Sequence, residues 1–468
     1  MATVYIAASC VTPGVFPNRQ HSSLIPNSES DLLRPAFSVG SSSMQLRVIS
    51  LLGISAFIAI AWTLSLHRRR FPWRTVCWGV GLQFGLGLFI LKTPVGEAIF
   101  EFAQAAITKL VAFSTEGTKF AFGPLASDAE MAKTFPQSPL VFAVLVTGTI
   151  IIVSSLSSLL YHWGLLQRVV HAIAWVMRKA MHTSGSETLS AAANIFMGQT
   201  EAPLLIKPYI SGMTRSELLC MMVGGMATIA GGVAAVYAKM GADAGHPEIA
   251  GHLLTASVMN APAALLISKV MLPETEPSQT AGAAPKDPHK TTTNSIDALC
   301  RGAGEGMMLS INVIAMLIAF VAVVALANFL LAAPQSYFGV AKPVTLQVFL
   351  GWINAPFAWL MGVPAGDCAA IGQVLGQRVV LNEFIGYLSL TSPEMHISER
   401  SFVIASYALC GFANFSSIAI QVGGIGSLAP ERRADLAKYG LRALAGGLLA
   451  TYLSACVAGV IIGSQATP

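Results

Sequence analysis

The sequence predicts an all-α polytopic membrane protein with eight transmembrane helices, two re-entrant hairpins, interfacial helices and an inverted repeat. Three observations predict it. Of 468 residues, 54% are hydrophobic and only 11% charged, less than half the charge of a soluble globular domain at roughly 25%. The apolar runs are about 20 residues long, enough to cross a bilayer as helix, and lack the period-two alternation of a β-barrel. Two apolar regions nevertheless carry polar residues at mid-length, around Glu201 and Glu383. Such groups are expensive at membrane depth unless they line a cavity or are buried in protein. The 42 glycines suit helices packed through small residues. Cys10, Cys77, Cys220, Cys300, Cys368, Cys410 and Cys456 are scattered singly, which offers neither a disulfide framework nor a metal site.

Along the chain, residues 1–43 are rich in Ser and Pro and lack a signal-peptide pattern. Met44 is expected to be the natural start, with the preceding segment a mis-called or disordered extension; the intact mass of the purified protein tests this. Spans are expected at 45–66, 73–91, 139–161, 216–239, 252–272, 306–332, 401–424 and 440–463. His67-Arg-Arg-Arg70 and Arg74 place the first loop in the cytoplasm. Alternation then puts Arg168, Arg178, Lys179, Lys286, Lys290, Arg301, Arg432, Arg433, Lys438 and Arg442 inside. The outward loops Gly241–Gly251 and Ala332–Thr345 have few basic residues, and both termini lie outside. Only 92–138 dilutes the charge rule.

Residues 97–122, 163–181 and 346–361 mix charge or polarity with apolar positions and read as interfacial helices. Residues 184–211 and 364–391 are apolar but interrupted, and the crossing count requires each to enter and leave on one side. They read as hairpins, the first from inside and the second from outside. Residues 139–272 therefore run span, interfacial helix, hairpin, span, span, and 306–463 repeat that order from the opposite side. Inverted repeats with interrupted segments at matching positions point to a secondary transporter.

Each half has two polar interruptions. The first holds Asn194 and Gly198-Gln-Thr-Glu-Ala-Pro203, then the Gly-flanked Thr228; the second holds Asn382-Glu383, then Cys410-Gly-Phe-Ala-Asn-Phe-Ser-Ser417. Glycines around Thr228 favour an unwound turn with free carbonyls for a cation. Half-helix N-termini at the hairpin tips would offer N–H groups to a polar substrate. Carboxylates, amides and hydroxyls without an Arg cluster suit a neutral, polyhydroxylated ligand. Lys207, Lys239 and Lys269 read as snorkelling anchors near span ends. Glu305 and Asp367 read as interfacial, and Asn260 and Asn312 are mid-span polar residues without an evident partner.

The motifs Gly-Gln-Thr-Glu-Ala-Pro at 198–203, Ala-Thr-Ile-Ala-Gly-Gly-Val at 227–233, Ala256-Ser-Val-Met-Asn-Ala-Pro-Ala263, Asn382-Glu-Phe384 and Ala408-Leu-Cys-Gly-Phe-Ala-Asn-Phe-Ser-Ser417 occur in order. Together they resemble the concentrative nucleoside transporters, from about residue 44 to the C-terminus; residues 1–43 match nothing in the family pattern. The resemblance implies a homotrimer in a bacterial plasma membrane, with a scaffold and a transport domain that moves as an elevator. The scaffold would comprise 44–135, 136–162 and the helix in 276–335, which follows a cytoplasmic loop; the transport domain would comprise 163–275 and 336–468.

By motif, the resemblance implies that Gln199, Thr200, Glu201 and Val233 meet the nucleobase and that Glu383, Asn414, Ser417 and Phe412 meet the ribose. It implies sodium at the side chains of Asn194 and Thr228 and the carbonyls of Met197 and Ile229, an all-oxygen set suited to a hard cation. Cation-coupled uptake of a nucleoside such as uridine is the expectation, with no organic cofactor and no nucleic acid. Coupling to protons is the alternative, and a passive polar-solute channel the other class. An enzyme is not expected, because no GxSxG or His-Asp pairing with a buried serine appears.

Overall fold

The computed structural model describes residues 43–127, 130, 131, 133, 141–281, 292–340 and 343–462. The expected N-terminal extension lies outside them save for Ser43, as do Cys10, Lys286 and Lys290. The first two helices, α1 (Ser43–Thr63) and α2 (Trp73–Lys92), are joined by the basic turn and followed by α3 (Pro94–Phe122). At the α2–α3 corner Thr93 caps the new helix by accepting from Gly96 N at 3.0 Å, and Pro94 follows it. A Cβ on Gly96 would stand 1.9 Å from the Phe89 carbonyl oxygen, so this corner requires glycine.

The repeat order then appears. Its first unit is α4 (Phe142–His162), α5 (Leu165–Met181), a hairpin, a broken helix and α11 (Ile249–Met271). The hairpin comprises α6 (Gly185–Ala193), α7 (Ala202–Leu205) and α8 (Lys207–Ile210); the broken helix is α9 (Arg215–Ala227) plus α10 (Gly231–Asp243). Its second unit runs α12 (Ser295–Tyr337), α13 (Leu346–Leu360), α14 (Cys368–Val380), α15 (Glu383–Leu390), α16 (Glu399–Leu409), α17 (Phe415–Leu428) and α18 (Arg433–Ile461).

Among the described residues, five helices or broken helices are long and apolar enough to cross a membrane: α1, α2, α9–α10, α11 and α18. A sixth counts if α4 and α5, bent by 77°, form one span. The eight-span expectation treats α4 as a span with α5 lying across its end, and adds α12 and α16–α17.

Several boundaries differ from the sequence expectation. The helix expected at 306–332 is 43 residues long, because its polar flank from Asn294 continues the helix; Asn294 caps it by accepting from Asp297 N at 2.9 Å. The second arm of the first hairpin is two single turns rather than a half-helix, since Pro208 lacks the N–H that a continuous helix would donate to the Leu204 carbonyl. The second hairpin matches better, with Asn382 capping α15 by accepting from Ile385 N at 3.0 Å.

Helices α11 and α18 form the buried centre: α18 packs on α1, α9, α11, α16 and α17, while α11 packs on α2, α3, α9, α10 and α18. Lys269 corrects the snorkelling expectation. It is buried, with Nζ 2.6 Å from Glu187 and 3.2 Å from Glu274, so it ties α11 to the base of the first hairpin. Lys207 is exposed and Lys239 pairs with Asp243 at 2.8 Å. Glu305 is exposed and pairs with Arg301 at 2.9 Å. Cys220, Cys368, Cys410 and Cys456 are buried, whereas Cys77 and Cys300 are exposed.

Candidate functional site

The two broken helices meet at their breaks. In the first, α9 ends at Ala227, Thr228 is extended, and α10 begins at Gly231. In the second, α16 ends at Leu409 and Asn414 starts α17. Phe412 N donates to the Thr228 carbonyl at 3.2 Å, joining the two halves through main chain. Gly411 permits this, since a Cβ there would lie 2.7 Å from the Met226 carbonyl oxygen.

Helix α11 holds both interruptions from behind. Ser257 Oγ donates to the Ile195 carbonyl in the first hairpin tip at 2.8 Å, and Asn260 Nδ2, one turn on, donates to the Cys410 carbonyl at 2.7 Å. Asn260 thus has a partner, one the sequence did not reveal; Asn312 is exposed on α12.

At the first tip, Asn194 ends α6 and Nδ2 donates to the Ser190 carbonyl at 2.9 Å. Its Oδ1 is buried without a hydrogen-bond partner. Thr228 is also buried, with Oγ1 donating to the Gly224 carbonyl at 2.9 Å. Asn194 Nδ2 lies 3.5 Å from where a Gly224 Cβ would stand, so both expected cation side chains gather at one turn of α9. A buried acceptor left unmatched costs about 1–3 kcal/mol, which a cation at that oxygen would relieve. Met197 is half-buried and Ile229 buried on the flanking turns.

Gln199 reaches the other half. Its Nε2 donates to Ser417 Oγ at 3.1 Å, and its Oε1 accepts from Gln421 Nε2 at 3.1 Å. Gln421 also donates to the Met222 carbonyl at 3.0 Å, so it fastens Gln199 to both α9 and α17. The next two residues diverge: Thr200 and Glu201 are exposed. Glu201 turns back on its own loop, accepting from Gly198 N at 3.3 Å, and Thr200 lies beside Gly424 of α17. Among the described residues, neither is hydrogen-bonded to Glu383, whose partners are Tyr237 and Asn414.

Glu383, at the second hairpin tip, is buried and doubly held. Oε1 accepts from Tyr237 Oη and Oε2 from Asn414 Nδ2, each at 2.9 Å. Asn414 serves twice, because its Oδ1 caps α17 by accepting from Ser417 N at 2.9 Å. The Tyr237 ring stacks on Tyr387 at 4.2 Å and 22°. Val233 is one turn before Tyr237 on α10 and buried, and Phe412 is half-buried at the second break. Arg378 is fully buried in the first arm of this hairpin, donating to the Ala408 carbonyl and to Thr451 Oγ1.

The structure therefore brings Gln199 to Ser417, Tyr237 to Glu383, and Thr228 to Phe412 across the halves, and joins Glu383 to Asn414 within the second. Sequence reasoning missed Gln421, Tyr237 and Arg378. Gln421 had a signal: Asn414, Ser417 and Gln421 stand at i, i+3 and i+7, one stripe of α17. Tyr237, four residues after Val233, had the same kind of signal on α10.

The family model described as Na+ dependent nucleoside transporter C-terminus matches residues 252–459, and its N-terminal counterpart matches 52–125. A nucleoside recognition (gate) model matches 143–244. An uncharacterised transporter of Haemophilus influenzae is 43% identical over 421 residues, covering 88% of this chain and 97% of the relative. The sodium/nucleoside cotransporter 1 of Rattus norvegicus is 39% identical over 89% of this chain and 64% of its own length. Among solved structures, CNTnw in an inward-facing substrate-bound state is 40% identical, with a TM-score of 0.83 over 90% of this chain and 99% of that one. A CNTnw variant in an outward-facing state gives 0.84 at 39% identity, over 91% of this chain and 100% of that one.

Proposed function

The chain belongs to the Na+ dependent nucleoside transporter family, a family of transporters and not of enzymes, and on that premise we propose that it is a sodium-coupled nucleoside symporter. The observation that carries sodium is the buried, unpartnered Oδ1 of Asn194 beside the Thr228 turn. An oxygen set from Asn194, Thr228 and the Met197 and Ile229 carbonyls suits a hard monovalent cation. Sodium there ties the hairpin tip to the first break and fixes Gln199 relative to α17.

Nucleoside then competes for bonds that the site now makes with itself. Gln199, with Thr200, Glu201 and Val233, takes the base; releasing Gln199 from Ser417 frees that hydroxyl for the ribose. Glu383 accepts from ribose hydroxyls while Tyr237 and Asn414 keep its carboxylate oriented, and Phe412 lines the pocket. Hydroxyl-to-carboxylate bonds are charge-assisted and stronger than neutral ones. A sugar without the hydroxyls leaves the buried carboxylate under-paired, which gives selectivity.

The protein works as a homotrimer in the bacterial plasma membrane. Helices α1 to α4 and α12 form the scaffold, and the two hairpins with α9–α11 and α16–α18 move across the bilayer as an elevator. Because linkage is reciprocal, sodium and nucleoside must raise each other's affinity by the same factor. Uridine binding to the purified protein with sodium and pH varied tests this. Sodium-dependent affinity is expected; equal affinities with and without sodium, changing with pH instead, overturn it in favour of protons. Glu383→Gln is expected to abolish most uridine uptake into proteoliposomes, and unchanged uptake removes Glu383 from the site.

A further inference from the structure

At the end expected to face outside, the turn between α10 and α11 meets the start of α16. Gly245, with φ +93°, reverses the chain after α10, and His246 N donates back to the Gly241 carbonyl at 2.9 Å. The His246 ring lies flat on Phe402, with centroids 3.7 Å apart and planes 17° apart, so its edge is fixed in direction. That edge faces two carboxylates from different halves of the repeat. Nδ1 is 3.4 Å from Glu248 Oε1 and 3.2 Å from Glu399 Oε2. The three candidate ligand atoms lie within 4.8 Å of one another.

An ion cluster alone accounts poorly for these distances. A charge-assisted N–H···O bond closes to about 2.7–2.9 Å, and one ring N–H shared between two carboxylates bonds each weakly. Zinc bonds of about 2.0–2.2 Å place neighbouring ligands of a tetrahedron about 3.3–3.6 Å apart, which brackets or adjoins both separations. One imidazole and two carboxylates is a three-ligand set with a free position, and the side chains are 27%, 35% and 38% exposed, open enough for water to fill it. The fixed ring is what an ordered ligand needs.

We propose that His246, Glu248 and Glu399 form an external site for a zinc-like divalent transition ion, clamping the two halves of the repeat together. The clamp joins α10, which carries Val233 and Tyr237, to α16, which leads into the second break. It stands apart from the nucleoside and sodium ligands and does not rest on their assignment.

The test is zinc titration of the full-length, untagged protein in detergent by calorimetry, with thermal melting in parallel. One zinc per chain is expected at micromolar affinity, raising the melting temperature, with calcium and magnesium at the same concentration giving no shift, since a nitrogen ligand disfavours hard cations. His246→Asn and Glu399→Gln are each expected to weaken zinc binding at least 10-fold and to remove the shift. Uridine binding by each variant checks that it is folded, and Glu248→Gln supplies a third variant if either fails to fold. Absence of saturable zinc binding, or binding that survives in folded His246→Asn and Glu399→Gln, overturns the proposal and leaves an ion cluster only.

Discussion

Substituting Gly411 by alanine tests the crossing of the two breaks on which the site depends. The added Cβ would meet the Met226 carbonyl oxygen at 2.7 Å, the Ala227 carbonyl carbon at 2.8 Å and the Ala227 oxygen at 2.9 Å. All three are main-chain atoms, so no side-chain rotation relieves the contact; the breaks must separate by several tenths of an ångström. The bond from Phe412 N to the Thr228 carbonyl, already 3.2 Å, would be lost. Overpacking costs about 1–3 kcal/mol and the hydrogen bond about 0.5–1.5 kcal/mol net. A total near 2–4 kcal/mol follows, or roughly 30- to 1,000-fold in the folding equilibrium. Gly423→Ala is the matched control: nothing lies within 4 Å of its Cβ position inside α17, and alanine there favours the helix by up to about 1 kcal/mol. Thermal melting and uridine binding in detergent are the assays. Gly411→Ala should melt lower and bind uridine weakly, while Gly423→Ala melts at or above the wild type. Equal melting and binding for Gly411→Ala and wild type would refute the crossing.

Three more outcomes are expected. Lys269→Met strands the buried Glu187 carboxylate and should cost about 3–5 kcal/mol, with part of the loss recovered in Lys269→Met/Glu187→Gln; chemical denaturation of both variants measures it. Asn260→Leu leaves the Cys410 carbonyl without its side-chain donor and should lose about 1–2 kcal/mol of stability, seen as a lower melting temperature together with weaker uridine binding. Gln421→Leu removes the donor that aims Gln199; uridine affinity measured by calorimetry should fall about 5- to 30-fold, the equivalent of ~1–2 kcal/mol.

Residues that break an apolar run were legible in the sequence, and residues that answer them from another helix were not. Glu383, Asn414, Gln199 and Thr228 interrupt segments that would otherwise be uniform; the structure joins Glu383 to Asn414 within the second half, and Gln199 and Thr228 to Ser417 and Phe412 across the halves. Asn260 was visible as polar, yet its partner is a backbone carbonyl of a distant break, which leaves no mark on side-chain composition. Lys269 was misread because a lysine near a span end looks the same whether it reaches water or a buried Glu187. Hydropathy located helix centres well. It missed ends such as that of α12, where a capped polar flank extends the helix beyond its apolar part, and it did not read Pro208 as splitting the return arm of the first hairpin into single turns.

The bond between Phe412 and Thr228 also sets an order of assembly. About 180 residues separate its two ends, so at synthesis rates of ~5–20 residues per second the Thr228 carbonyl waits roughly 10–35 s for its donor. The Ile195 carbonyl is served much sooner, by Ser257. The newborn first half can therefore settle its hairpin tip early, while its broken helix keeps an open edge until α16 and α17 are made. Completion of the transport site is thus a late event in biogenesis, triggered by the arrival of the chain's own inverted counterpart.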